Sequence, residues 1–258
     1  MRLMKRILSA AAVLALSASL LVGCSSGTAS SVPVSASSAA ESTVSSVEET
    51  ASSAVDENAA AAVQLLNDLT GSYQELWPVI LADEYQQTWL DDCTALVGEE
   101  NAEAAFEKLS SMVTGDVYGE DAVEAYANGG GAYFCGFTND LATLTFDGET
   151  STISGTDKDG NVLFSHTYHY IGMEPVHGLY EFESDDADSG EFTYFFLAPD
   201  TSAETYHIEF RYGSDAEALS QYDAGEYAYW VASGISTDCD QTMIDNCIEL
   251  FCTENLAG

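Results

Sequence analysis

After about residue 56, the chain has two parts that differ in the spacing of their hydrophobic residues. Over residues 57–128, apolar residues recur every three or four positions, the spacing of one helix face; the first such group is Ala61, Leu65, Leu66 and Leu69. Ser72 stands where it could cap a second short helix that contains Tyr73. From Gly129 onwards the period becomes two, which indicates strands with one buried face. The pattern therefore predicts helices followed by β-structure.

Short strand-like stretches fill most of the second part. They alternate in polarity or are rich in β-branched and aromatic residues, and they cover 132–138, 141–146, 151–154, 162–170, 179–182, 192–198 and 205–212. Tight polar turns such as Asp147-Gly148 separate them, and antiparallel strands joined in this way form a barrel or a sandwich. A last helical pattern spans 239–252, with Thr237 or Asp238 as its cap. We therefore predict a mainly β domain with helices at both ends.

The N-terminus has the layout of a bacterial lipoprotein signal. Basic residues at positions 2, 5 and 6 precede an apolar stretch over residues 7–22, and Gly23 precedes Cys24. An ordinary secretory signal or a membrane-spanning helix is the alternative, but a spanning helix needs about 20 apolar residues and this stretch is shorter. We expect residues 1–23 to be cleaved and a lipid on Cys24 to anchor the protein outside the cytoplasm, to the bacterial cell membrane.

Residues 24–56 are a separate low-complexity segment. They consist almost wholly of Ser, Ala, Val, Thr and Glu, without an aromatic residue or an apolar period. Such a composition buries too little apolar surface to offset the entropy of ordering. We predict a disordered tether over 24–56 and one folded domain over 57–258.

Charge excludes two classes of partner. The chain has 43 acidic and 6 basic residues, a net charge of −37, and beyond the signal only Lys108, Lys158 and Arg211 are basic. Nucleic-acid binding needs Lys and Arg to replace phosphate counterions, and anionic lipid repels an acidic surface. We therefore expect no nucleic-acid partner and membrane contact through the lipid alone. The same surface raises the local concentration of cations.

The cysteine count leaves the disulfide pairing open. If Cys24 carries lipid, five cysteines remain, at positions 93, 135, 239, 247 and 252, so at least one thiol stays unpaired within a monomer. The gaps between the last three do not match a structural zinc site. Buried apolar thiols are the favoured interpretation for most of them.

The strand around His207 carries the best candidate for chemistry. Residues two apart on a strand point to the same face, about 6–7 Å from each other, so His207 and Glu209 share a face. An imidazole nitrogen and a carboxylate oxygen can both bind zinc at about 2.0–2.2 Å. A complete site needs a further ligand from a neighbouring strand.

Two motif blocks resemble signatures of the ZinT (YodA) family. One covers residues 66–80, where Gly71 and Tyr73 precede Trp77-Pro78. The other joins residues 195–199, which end in Ala-Pro, to the strand within 206–215. The resemblance implies a lipocalin-like (calycin) antiparallel barrel with N-terminal helices and a C-terminal helix. It also implies zinc binding near the barrel mouth and zinc capture or delivery, in partnership with a zinc ABC importer, rather than an enzyme.

The chain departs from that family at the ligands. The family binds zinc through one strand histidine and a His-x-His pair; here His207 matches the first of the pair, Glu209 replaces the second, and Phe195 stands at the strand position. A substitute ligand could come from His166, His169 or His177. Since His166 and His169 are three apart on one strand, at most one of them points into the barrel.

These observations predict a binding protein for a divalent metal ion, zinc above others, with weaker binding than in the family. The expected ligands are His207 and Glu209, with His169 and His177 as further candidates. The alternative is a barrel that lost the metal site and binds a small apolar ligand or a protein partner. No catalytic residue is predicted, because no nucleophile or phosphate-binding motif occurs in the sequence.

Overall fold

Eight antiparallel strands close into a single barrel in the computed structural model, which describes residues 57–199 and 207–257. Each strand pairs with its neighbours along the chain, and the last pairs with the first. The strands are β1 Gly71–Glu75, β2 Thr143–Asp147, β3 Thr152–Thr156, β4 Val162–Met173, β5 Tyr180–Ser184, β6 Tyr194–Leu197, β7 His207–Gly213 and β8 Ala232–Ser236. This up-and-down order is that of lipocalin barrels, so the predicted fold class is confirmed.

Helices precede, interrupt and follow the strands. They are α1 over 57–68, α2 Leu76–Ile80, α3 Gln86–Val97, α4 Ala102–Val113, α5 Glu120–Ala127, α6 Ala216–Leu219 and α7 Gln241–Leu256. Within the described ranges, no helix is both long enough and apolar enough to cross a bilayer. The predicted signal, the lipidated Cys24 and the whole of the predicted tether lie outside the described residues, so they stay predictions.

Three details of the predicted elements are wrong. Residues 132–138 are not a strand; Phe134 makes only isolated bridges to Thr114 and Trp230. Tyr73 lies in β1 rather than in a helix, because pairing with β2 and β8 on either side closes the barrel there. The cap of α7 is Asp240, whose carboxylate accepts a hydrogen bond from the Met243 amide at 3.0 Å.

Aromatic rings fill the inside of the barrel. Phe195 lies 5.4 Å from Tyr212 and 6.4 Å from Phe210 between ring centroids, and Phe137 lies 5.3 Å from Phe210. Phe195, Phe210 and Tyr212 are each 0% exposed. Helix α1 joins the same core and contributes Ala62, Leu65, Leu66 and Leu69. The interior is therefore packed with side chains from every strand and from the first helix.

A second core lies outside the barrel. Helices α2, α3, α4 and α7 pack together, with Trp89, Leu109 and Ile248 among their buried residues. Ile235 of β8 belongs to this core, so the helices cover the outer face of that strand. The barrel wall next to β7 is consequently bordered by a helical layer.

Candidate metal site

Strand β7 places His207 and Glu209 on one face, as the sequence predicts. Ile208, Phe210 and Tyr212 belong to the core inside the barrel, so the alternate residues point outwards. His207 Nε2 lies 4.0 Å from Glu209 Oε1, and the two side chains are 22% and 23% exposed. They form a partly buried nitrogen–oxygen pair on the outer wall.

The His207 and Glu209 pair lies where the barrel wall meets the helical layer. His207 pairs with Ile235 and Glu209 pairs with Ser233 on the neighbouring strand β8. Burial, and then the charge of Glu209, raise the pKa of the Cys135 thiol. The pair thus faces the space between barrel and helices, whereas the resemblance implied a position at the barrel mouth.

Phe195 lies on the opposite face from this pair. It pairs directly with Tyr212 and packs inside the barrel, where Tyr212 also points. Since neighbouring residues of a strand alternate between faces, a side chain at position 195 and the side chains of His207 and Glu209 lie on opposite sides of the wall. The three positions compared with the family's ligands therefore do not converge on one ion.

The histidines of β4 face opposite ways, as predicted. His166 stacks on Phe164, and its Nδ1 lies 2.7 Å from Asp186 Oδ2. His169 is half exposed; its Nδ1 lies 2.7 Å from Asp185 Oδ1 and its Nε2 lies 3.9 Å from Glu183 Oε2. Three strand spacings separate β4 from β7, which is about 14 Å along the wall. Neither histidine is brought to His207.

His177 packs in a different environment, in the loop between β4 and β5. Its ring meets that of Tyr222 edge-on with centroids 3.9 Å apart, and its amide donates a 2.6 Å hydrogen bond to Glu174 Oε2. Burial lowers the pKa of the imidazole, Glu174 opposes this shift and Arg211 adds to it. The packing favours a neutral ring that supports this loop, beside a guanidinium that repels a cation.

The buried base Arg211 is the functional neighbour that sequence reasoning missed. It is 0% exposed, although in the sequence it is only one of three basic residues beyond the predicted signal. No pattern within β7 reports this burial, because Arg211 points to the opposite face from Phe210 and Tyr212 and is covered by a later segment of the chain. Together with burial, its charge lowers the pKa of His177, so it opposes a cation at that ring.

The donor set fits zinc only in part. Two ligands at about 2.0–2.2 Å from one zinc in tetrahedral geometry are about 3.4 Å apart. The 4.0 Å separation of His207 and Glu209 needs a small side-chain rotation to reach this value. Over residues 57–199 and 207–257, no group of three or more His, Cys, Asp or Glu side chains is arranged to hold a metal ion. The pair supplies two donors and leaves the remaining positions to water or to a partner.

Comparison with known proteins finds structural neighbours only. No protein-family model matches the chain, and no curated protein matches its sequence. The crystal structure of the Zn(II)-bound ZinT-like domain of Streptococcus pneumoniae AdcA is similar at 17% identity and a TM-score of 0.45, covering 71% of this chain and 89% of that domain. Zn(II)-bound AdcA from the same organism is similar at 15% identity and a TM-score of 0.43, covering 72% of this chain and 35% of the other.

Proposed function

We propose that the protein is a lipid-anchored, extracytoplasmic binding protein for a divalent metal ion, with zinc as its first cargo. What supports the proposal is the His207 and Glu209 pair, whose nitrogen and oxygen lie 4.0 Å apart on a partly buried face. An imidazole nitrogen and a carboxylate oxygen are both common zinc ligands. The partial burial protects the pair from bulk water without sealing it.

The small number of protein ligands suits transfer of the ion. A site with four protein ligands holds zinc permanently, whereas two protein ligands leave coordination positions that water or another protein can fill. The net charge of −37 concentrates cations around the protein. Weak binding combined with a high local concentration favours capture followed by release, which supports delivery to a zinc ABC importer.

The predicted lipid anchor would keep an acidic protein close to an anionic membrane. An acidic protein is repelled by an anionic membrane surface, so it needs a covalent anchor to stay near an importer. A lipid on Cys24, joined to the folded domain by the chain up to residue 56, would provide that anchor.

Zinc titration with matched variants tests this function. Full-length protein in detergent is titrated calorimetrically with zinc, with excess Mg²⁺ present to occupy the diffuse carboxylate sites. His207→Ala and Glu209→Gln are each expected to weaken binding by at least about tenfold, because each removes one of two ligands. His169→Ala, an exposed histidine on β4, is the control and should bind like the wild type.

Each alternative result has a distinct meaning. Absence of zinc binding by the wild type removes the metal function. Wild-type binding by His207→Ala excludes the β7 pair, and a loss confined to His169→Ala moves the site to Glu183 and Asp185 on the far wall.

The packed interior argues against a small apolar ligand. A central space large enough for a ligand would leave accessible area on the residues that line it, yet Phe195, Phe210 and Tyr212 have none. We therefore favour the metal over an apolar ligand as the cargo. A native mass spectrum that retains an organic molecule would reverse this preference.

A further inference from the structure

Two buried cysteines from distant parts of the chain approach each other in the helical layer. Cys93 of α3 and Cys252 of α7 are both 0% exposed, and their Sγ atoms lie 3.9 Å apart. Their side chains belong to the same core as Trp89 and Ile248. The packing of α3 against α7 therefore brings together two thiols that are 159 positions apart in sequence.

The separation of the two sulfur atoms is close to that of a covalent bond. A disulfide has an S–S length of about 2.05 Å, so the two atoms must move about 2 Å closer. The reduced pair is therefore within about 2 Å of bonding distance.

We propose that Cys93 and Cys252 form an intramolecular disulfide that fastens α7 to α3 when the chain folds outside the cytoplasm. The oxidant is a disulfide, either a small-molecule one or that of an extracytoplasmic thiol oxidoreductase. The thiolate of one of the two cysteines attacks one sulfur of that disulfide and releases the other as a thiolate. The thiolate of the second cysteine then attacks the Sγ atom of the first in the mixed disulfide and releases the remaining sulfur as a thiolate. The two cysteines lose two protons and two electrons, and the oxidant becomes two thiols.

Burial raises the pKa of both thiols in the folded protein. Only a thiolate attacks a disulfide, so the docked thiols react more slowly than thiols that are still open to water.

The burial of both sulfurs determines when the bond can form. With 0% exposure, neither thiol meets an oxidant once α7 has docked. Before α7 packs against α3, the core that buries the two thiols is incomplete, so an oxidant can reach them. We expect rapid oxidation during folding and slow oxidation of the folded, reduced protein. The bond involves neither His207 nor Glu209, so it is tested separately from metal binding.

Refolding under a defined redox potential tests the bond. Full-length protein is unfolded with reductant and chelator, then refolded with reduced and oxidised glutathione, alkylated and cleaved at Glu residues, because the chain has only six Lys and Arg. Mass spectrometry should find the peptides of Cys93 and Cys252 joined. The oxidised protein should melt several degrees above the reduced protein, because the bond closes a long loop of the unfolded chain.

Variants separate this pairing from others. Cys93→Ser and Cys252→Ser should remove the melting difference, and Cys247→Ser, five positions earlier on α7, should keep it. The peptide mapping of the wild type stands even if a variant does not fold. Free Cys93 and Cys252 after refolding in excess oxidised glutathione, or either of them joined to another cysteine, would overturn the proposal.

Discussion

Arg211 buries a positive charge in a chain with a net charge of −37. Its guanidinium donates hydrogen bonds to the carbonyl oxygens of Leu219 and Tyr227, and it lies 4.2 Å from the ring centroid of Tyr222. Burial lowers its pKa, while Tyr222 and Glu174 raise it. Arg211 therefore holds the segment between β7 and β8 against the outer wall by hydrogen bonds to buried backbone carbonyls.

Replacement of Arg211 should be costly. Arg211→Met keeps much of the apolar volume but leaves the carbonyls of Leu219 and Tyr227 buried without their donor, so we expect the free energy of unfolding to fall by about 3 kcal/mol. Urea denaturation measures this change. Lys158→Met, at an exposed base in the β3–β4 turn, is the control and should have the wild-type midpoint. Equal midpoints for both variants would show that the carbonyls are satisfied in another way.

Helix α1 depends on close contact with the turn between β2 and β3. The Gly148 amide donates a 3.0 Å hydrogen bond to Thr70 Oγ1, and a Cβ atom on Gly148 would lie 2.3 Å from Asn67 Cα. A side chain there must push the end of α1 away from the barrel. Because α1 contributes Leu65 and Leu66 to the interior core, such a displacement opens that end of the barrel.

Gly148→Ala should therefore destabilise the protein by about 2 kcal/mol, the usual cost of overpacking. Denaturant unfolding is the measurement. Gly130→Ala is the matched control, because its Cβ would come no closer than 3.6 Å to Ala125 O. If the two variants unfolded at the same denaturant concentration, α1 would not be held against the turn as described.

The hydrophobic pattern does not predict strands β1 and β8, and each was missed for a physical reason. β8 has four consecutive buried residues, because one face lines the barrel and the other lies under the helices. A strand covered on both faces has no alternation to detect. β1 is only five residues long and follows a helical pattern, so its neighbours dominate the window. Conversely, residues 132–138 contain the buried Phe137 and the partly buried Tyr133 and Phe134, but form only the isolated bridges of Phe134.

Charge governs the stability of the protein as a unit. A net charge of −37 on one chain creates self-repulsion that favours expansion over folding. Salt screens this repulsion, since the Debye length falls from about 30 Å at 0.01 M to about 4 Å at 0.5 M. The folded state should therefore gain more from added salt than the unfolded state does.

We expect the melting temperature at neutral pH to rise by several degrees between about 0.01 M and about 0.5 M NaCl. Thermal unfolding followed by circular dichroism measures this. The same comparison near pH 4, where about half of ordinary carboxyl groups are protonated, should give a smaller rise. A melting temperature that fell with salt at neutral pH would mean that attractive ion pairs outweigh the repulsion.

Local periodicity was sufficient for the class of fold and for part of the site. The change of period from helix to strand predicts a mainly β domain, a barrel or a sandwich, with helices at both ends, because each period reports which side chains share a face. For the same reason it places His207 and Glu209 together and sets His166 and His169 apart. These relations concern residues of one strand or helix, so they can be predicted from the sequence of that segment alone.

Which face of β7 looks into the barrel was decided only by tertiary structure. The register of β7 against β6 sends Phe210 and Tyr212 inwards with Phe195, and His207 and Glu209 outwards. The approach of Cys93 to Cys252 and the covering of Arg211 likewise join segments far apart in the chain. Such contacts arise from pairing and packing between elements, and the spacing of residues within one element carries no information about them.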